Sequence, residues 1–253
     1  MRFSSIPAIV FTLVFSIALP IGLMLWFRKR GGKWTSFLIG AAAFILFTLI
    51  LESILHNLLS QTPLWAILRS SVWLYALYGG LAAGIFEETG RFLAFKLFLK
   101  NERDPITALS YGVGHGGAEA ILLVGLTMVN NLALAAMVSA GGTTDPAVLE
   151  AAAQLASTPA GMFLWAAFER IGAVVLHLSN SVLVFAAIRK PGKKCLFPAA
   201  ILIHAAADFI AVVSNAYLPV VATEIIILIV AVIVALFART VYRTIPDADR
   251  ENI

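Results

Sequence analysis

The chain has 253 residues, of which 60% are hydrophobic and 13% are charged, and its mean hydropathy is +0.93. A soluble domain of this size needs more polar surface than that composition supplies, so a soluble globular protein is excluded and an integral protein of the cell membrane is indicated. The net charge of +4 comes from basic residues beside hydrophobic segments, and it gives no reason to expect nucleic-acid binding.

Seven apolar segments are each long enough to cross a hydrocarbon core of about 30 Å as a helix. They lie near 5–27, 34–56, 71–96, 106–138, 161–188, 195–215 and 218–240. The sequence therefore predicts an all-α membrane bundle of about seven transmembrane helices. We expect one transmembrane domain over 1–253, with the functional motifs within about 71–215.

Two features outside this simple pattern stand in the middle of the chain. The fourth segment is longer than a span requires, which predicts a tilt or a break near Asn130 and Asn131. After it, Asp145 followed by Pro146 is typical of a helix N-terminus. We therefore expect a short surface helix over 147–156, either as a connector or as a lid.

Basic residues follow every odd-numbered span, whereas the other connections contain almost no lysine or arginine. They are Arg28, Lys29, Arg30 and Lys33, then Lys96, Lys100 and Arg103, then Arg189, Lys190, Lys193 and Lys194, and finally Arg239, Arg243 and Arg250. The positive-inside rule then predicts that the N-terminus is outside and the C-terminus is cytoplasmic.

Four polar clusters interrupt the apolar spans. They are Glu87-Glu88-x-x-Arg91, His115-x-x-x-Glu119, His177 with Asn180 and Ser181, and His204-x-x-x-Asp208. Counted from the basic edges at about 1.5 Å per residue, all four lie roughly 13–18 Å deep. Residues three or four apart share one helix face, so each helix offers one polar stripe to a common layer. Ionisable groups at this depth are costly, which makes the layer a candidate functional site.

Glycines accompany two of these clusters at a spacing of four residues. Gly80 and Gly84 precede the glutamate pair, and Gly112 and Gly116 surround His115. Small residues at this spacing let helix backbones approach closely, which predicts tight packing around the polar layer.

Two adjacent carboxylates cannot both stay ionised in a low-dielectric site without compensation. We expect Glu87 to pair with Arg91, one turn away, and Glu88 to act as a general base. The alternative is a buried ion pair that only fixes the register of the helices.

Imidazole and carboxylate groups are the ligands that a divalent metal such as zinc uses. The candidate ligands are His115, Glu119, His177, His204 and Asp208. The only cysteine, Cys195, excludes a thiolate cluster.

Two further charged pairs are expected to be peripheral. Glu169 and Arg170 favour a structural pairing, and Glu52 with His56 is expected to be a solvated pair at the outer edge of the membrane.

The motifs resemble a known family. Glu87-Glu88-x-x-Arg91, then Tyr111-x-x-x-His115, and then His204-x-x-x-Asp208 are similar to the three motifs of the CAAX-processing and bacteriocin-immunity proteases. In that family the last position is asparagine. The run 112–120, with Glu169-Arg170, His177 and His204, more closely resembles the YhfC branch, intramembrane metalloproteases related to PrsW-type proteases. The resemblance covers about 85–210.

The resemblance implies an intramembrane endopeptidase that acts on membrane-embedded or membrane-associated peptides or proteins. Glu87 or Glu88 would activate a water, Arg91 would fix the glutamates, and His177 with His204 would hold a metal or stabilise the oxyanion. His115 and Glu119 join the catalytic candidates. Zinc-assisted and metal-free glutamate mechanisms both fit. The other hypotheses are an ion- or proton-coupled transporter and a non-catalytic scaffold that binds a substrate helix in a polar chamber.

Overall fold

The computed structural model describes residues 3–245, and that part of the chain contains nine helices and no strand. The helices are α1 Ile6–Arg28, α2 Trp34–Ser60, α3 Pro63–Arg69, α4 Val72–Leu93, α5 Ile106–Ser139, α6 Pro146–Ser157, α7 Ala160–Arg189, α8 Leu196–Tyr217 and α9 Val220–Tyr242. The all-α prediction is confirmed. The two ends of the predicted domain, with Arg250, lie outside the described residues.

Within residues 3–245, six helices are long and apolar enough to cross a membrane: α1, α2, α5, α7, α8 and α9. The remaining predicted span, the third at 71–96, corresponds to α4, whose 22 residues would reach roughly 33 Å. Glu87, Glu88 and Arg91 lower the hydropathy of α4, which is why it stands apart from the six. The expectation of a multi-pass integral membrane protein of about seven spans is therefore confirmed.

Three stretches of π-helix interrupt the regular helices. They are Ile45–Glu52 within α2, Ala94–Phe98 directly after α4, and Ala120–Gly125 within α5. The break predicted near Asn130 is therefore wrong in position, because α5 is regular there and irregular five residues earlier. Single-turn π-helical segments are frequent at functional sites, and one of these, Ala120–Gly125, begins directly after Glu119 of the polar layer.

The surface helix predicted after α5 is confirmed as α6, Pro146–Ser157. The Asp145 side chain accepts a hydrogen bond from the Ala147 amide at 2.9 Å. Pro146 occupies the first helical position, where the missing amide proton costs nothing.

The basic connections lie together at one end of the bundle. Lys33, between α1 and α2, forms an ion pair of 2.8 Å with Glu102, between α4 and α5. Arg189, at the end of α7, donates a 3.0 Å hydrogen bond to the Glu102 carbonyl, and Lys190 donates one to the Thr244 carbonyl. These basic connections therefore share one end of the bundle, and the positive-inside rule makes this end the expected cytoplasmic one.

Close helix packing at the glycines sets the geometry of the polar layer. A Cβ atom at Gly80 of α4 would lie 2.4 Å from the Ala205 carbonyl oxygen of α8. A Cβ atom at Gly116 of α5 would lie 3.0 Å from Cδ2 of His177 on α7. The glycines therefore allow α4 to approach α8 and α5 to approach α7, and this brings four polar stripes to one centre.

Candidate functional site

The polar clusters predicted on four helices meet in one buried centre. Its members are Glu87, Glu88 and Arg91 of α4, His115 of α5, His177 and Asn180 of α7, and His204 of α8, and none is more than 6% exposed. Buried charges are stable only when they are paired and hydrogen-bonded. The contacts within this centre therefore decide what each group can do.

Glu87 lies at the middle of the three histidines. Nε2 of His115 donates a 2.8 Å hydrogen bond to Oε2 of Glu87. The same carboxylate oxygen lies 3.8 Å from Nδ1 of His177 and 3.8 Å from Nε2 of His204. Among the described residues, Glu87, His115 and His177 each offer one ligand atom, and these atoms lie within 4.8 Å of one another. Two imidazoles and a carboxylate in this arrangement fit a divalent metal site.

Glu88 is the anion that holds the other groups in place. Its Oε1 atom accepts hydrogen bonds from Nδ1 of His204 at 2.8 Å and from Nδ2 of Asn180 at 3.2 Å, and it also forms an ion pair with Arg91. The predicted pairing of Glu87 with Arg91 is therefore wrong. Both glutamates lie within one turn of Arg91, but successive residues point about 100° apart. The rotation of α4 turns Glu87 toward His115 instead.

His177 is oriented from both sides of its ring. Nη2 of Arg91 lies 3.2 Å from Nδ1 of His177 and can only donate, so Nδ1 is an acceptor there. The proton of the neutral ring is then on Nε2, which donates to Glu119. A carboxylate on the far nitrogen of a histidine fixes its tautomer and orientation. Glu119 therefore sits where it can orient His177.

Arg170 links this arrangement to a further charged pair. Its Nη1 atom donates a 2.6 Å hydrogen bond to Oε1 of Glu119, and Nη2 contacts Glu169. Glu169 and Arg170 thus pair with each other, as one of the sequence interpretations has it, and Arg170 also reaches across to α5. Its side chain is 7% exposed, and the two carboxylates compensate its charge.

His204 presents one ring nitrogen to the open side of the centre. Nδ1 donates to Glu88, which leaves Nε2 toward Glu87 and Asp208. Oδ2 of Asp208 lies 3.6 Å from Nε2. A carboxylate that accepts from one ring nitrogen of a catalytic histidine holds the imidazole in one tautomer. Glu88 is placed to do this for His204.

A cavity of about 150 Å³ opens beside these groups. The polar side chains that line it are Thr48, Glu87, Glu119, Glu169, His177, His204 and Asp208. Glu88 is fully buried and does not reach it. A water in this cavity would therefore meet Glu87, His177 and His204, and Glu88 would act on it only through His204.

The pair of Glu52 and His56 differs from the expected solvated pair. Glu52 is 6% exposed, and Oε1 accepts a 3.1 Å hydrogen bond from Nε2 of His56. The His56 ring also contacts the Tyr78 hydroxyl. Sequence alone places Glu52 near the membrane edge, but α4 covers it.

The structure brings together the candidate residues, although in a different grouping. The three gathered ligand atoms belong to Glu87, His115 and His177, whereas the sequence interpretation places Glu87 among catalytic groups and names His204 and Asp208 as ligands. Glu87 could have been proposed as a ligand from the sequence, because its counted depth lies in the same layer, roughly 13–18 Å deep, as that of His115. Tyr111, the aromatic residue of the second motif, is fully buried with its ring centroid 5.9 Å from that of His115.

A family model described as YhfC intramembrane metalloprotease matches residues 15–234. The chain belongs to the YhfC family. A curated YhfC relative, "Uncharacterized membrane protein YhfC" of Bacillus subtilis (strain 168), is 35% identical over 207 residues, which cover 74% of this chain and 76% of that protein. No solved structure matches. The YhfC match includes the whole buried centre, and the family description favours a protease over a transporter or a scaffold.

Proposed function

We propose that this protein is an intramembrane metallo-endopeptidase that hydrolyses peptide bonds of membrane-embedded or membrane-associated substrates. The observation that supports the proposal is the convergence of Glu87, His115 and His177 within 4.8 Å, beside a buried polar cavity. The YhfC family description agrees with it.

Glu87, His115 and His177 would hold the metal, which would replace the proton on Nε2 of His115 and the hydrogen bond from Arg91 to Nδ1 of His177. Two imidazoles and one carboxylate are a ligand set of catalytic zinc sites, which leave a further position open for water or substrate. When bound, such an ion would supply Lewis-acid activation of a water and of a peptide carbonyl. The burial of all three side chains, none more than 6% exposed, fits a site that excludes competing solvent ligands.

His204 is the proposed general base. The His204 ring lines the cavity, its Nε2 atom lies toward Glu87 and Asp208, and Nδ1 donates to Glu88 at 2.8 Å. The proton taken from water would form an imidazolium, which Glu88 and Asp208 would stabilise, and His204 would return it to the leaving amine. This assigns to Glu88 a positioning role in place of the direct role that the sequence suggests.

Arg91 and Asn180 are positioning residues in this mechanism. Both donate to Glu88, Arg91 from the same helix and Asn180 from α7. Through Glu88 they hold His204 in place, and neither reaches the cavity. Glu119 does the same for His177 from the other side.

The test combines metal analysis with cleavage mapping. Membranes from cells that express the wild type or a variant would be compared by mass spectrometry of newly formed N-termini, and the purified proteins by elemental analysis. Glu87→Ala, His115→Ala and His177→Ala should lose both bound metal and cleavage products. His204→Ala should keep the metal and lose the products.

Glu150→Gln, on the exposed surface of α6, is the matched control and should behave as wild type. The proposal is overturned if the wild type holds no metal and ignores chelator, or if wild type and His204→Ala give the same N-termini.

A further inference from the structure

A second cavity, lined in part by polar side chains, lies at the end of the bundle opposite the basic connections. Its volume is about 300 Å³, and its lining includes His56 of α2, Tyr78 and Gly79 of α4, and Asp208 of α8. Trp65 of α3 also lines it, with its ring centroid 6.0 Å from that of Tyr78. Tryptophan and tyrosine are typical of the membrane and water interface, so this cavity begins where water is available.

A row of polar side chains leads inward from this cavity along α2. The Tyr78 hydroxyl contacts Nδ1 of His56, and Nε2 of His56 is hydrogen-bonded to Glu52 at 3.1 Å. One turn further, Thr48 lines the cavity of the proposed catalytic site. The row of Tyr78, His56, Glu52 and Thr48 thus runs from one cavity to the other.

Two atoms of this row have no protein partner. Oε2 of Glu52 and Oγ1 of Thr48 are buried and lack a hydrogen bond. A buried polar atom without a partner costs on the order of 1–3 kcal/mol. Ordered water is the usual partner in such places. A cluster that served only to hold α2 against α4 would have no need of these two open acceptors.

The two cavities also share a wall on α8. Asp208 and Ala211 line both of them. The side chain of Asp208 is 35% exposed, and its contact with His204 is 3.6 Å. Because Asp208 lines both cavities, its carboxylate offers water a hydrogen-bond acceptor at their common wall.

We propose that Thr48, Glu52, His56, Tyr78 and Asp208 form a water-filled passage that supplies the catalytic cavity from this end of the bundle. The inference rests on the proposed function, because each peptide bond hydrolysed consumes one water, whose hydroxyl joins the acyl carbon and whose protons end on the new termini. The hydrocarbon around the bundle cannot supply that water. The passage also explains why polar groups extend beyond the metal centre along α2.

Gly79 offers a way to close the passage without disturbing the packing. A Cβ atom at Gly79 would meet nothing within 4 Å, so a leucine side chain there would extend into the cavity. Gly161, on α7, is equally unobstructed and does not line either cavity. Gly79→Leu and Gly161→Leu are therefore a matched pair.

The experiment measures access with a cysteine at Thr48 in a Cys195→Ala background. The protein in proteoliposomes would be treated with ethylammonium methanethiosulfonate, and the labelling rate would be measured by mass spectrometry. We expect Thr48→Cys to react, Gly79→Leu to slow the reaction at least tenfold, and Gly161→Leu to leave it unchanged. Ile50→Cys, 46% exposed on the outside of the same helix, reports reagent that arrives through the lipid.

A second blocking variant acts from another helix. Val212→Phe would narrow the same cavity from α8, and it guards against a local effect of Gly79→Leu on folding. Both blocked proteins should retain bound metal and cleave more slowly than Gly161→Leu. The passage is overturned if neither blocker slows labelling of Thr48→Cys, or if labelling is slowed while cleavage keeps its wild-type rate. Labelling needs no cleavage, so an inactive wild type would refute the proposed function and leave this measurement valid.

Discussion

Glu119→Gln tests whether the carboxylate on α5 orients the metal-binding histidine. Both carboxylate oxygens of Glu119 are in use, one accepting from Arg170 at 2.6 Å and the other from His177. A carboxamide has the same shape but only one acceptor oxygen. If that oxygen faces His177, the amide NH2 group faces the Arg170 guanidinium, and two donors oppose each other.

The expected loss of metal affinity follows from the position of Glu119, which contacts the proposed metal ligand His177 and is not itself a proposed ligand. Loss of a group that orients a ligating histidine typically lowers metal affinity 10–100-fold, or about 1.4–2.7 kcal/mol. His177→Ala removes the ligand itself and should abolish binding.

The assay is a zinc titration of purified protein against a competing chelator, with elemental analysis of the bound metal. Glu169→Gln is the matched control, because Glu169 contacts the same Arg170 but does not touch His177, and its affinity should stay within about threefold of wild type. An affinity of Glu119→Gln within twofold of wild type would refute the orienting role. A loss as complete as that of His177→Ala would make Glu119 a ligand, as the sequence interpretation has it.

Three further expectations follow from the packing and the topology. Asp208→Asn should keep the bound metal, because Asp208 is not among the three proposed ligands Glu87, His115 and His177. It should lower turnover roughly tenfold, because Asp208 faces His204 at 3.6 Å. Loss of metal on elemental analysis would contradict this. Gly80→Val should lower the melting temperature of the purified protein far more than Gly79→Val, since its Cβ would lie 2.4 Å from a backbone oxygen of α8; equal melting temperatures would count against the close approach of α4 and α8. A cysteine at Gly32 should react with impermeant thiol reagent only from the cytoplasmic side and one at Thr143 only from outside, and the reverse pattern would invert the predicted orientation.

Much of the fold follows from the sequence because its signals are local. Length and hydropathy give the spans, and the Asp145-Pro146 pair gives the start of the surface helix. The shared depth of the polar residues could also be read by counting, since every helix rises by the same amount per residue. The convergence of three histidines and two glutamates was therefore predictable as a layer.

The contacts within the layer were not predictable from the chain alone. Glu87 and Glu88 differ by one position, so a small rotation of α4 decides which of them meets Arg91 and which meets His115. That rotation is set by Gly80 and Gly84 packing on the backbone of α8, a contact between segments far apart in sequence. The rotation of α4 therefore also decides which glutamate belongs to the proposed set of metal ligands.

The sequence by itself determined that this protein is a membrane bundle with one buried polar layer, because hydropathy, charge and the helical rise are properties of each segment taken separately. Only the tertiary structure decided that Glu88 anchors Arg91 and His204 while Glu87 faces His115 and His177. The same holds for Glu52, which looked peripheral by position and is buried because α4 covers it. Helix rotation and the π-helical stretches arise from packing between helices. The sequence pattern of any single helix does not encode that packing.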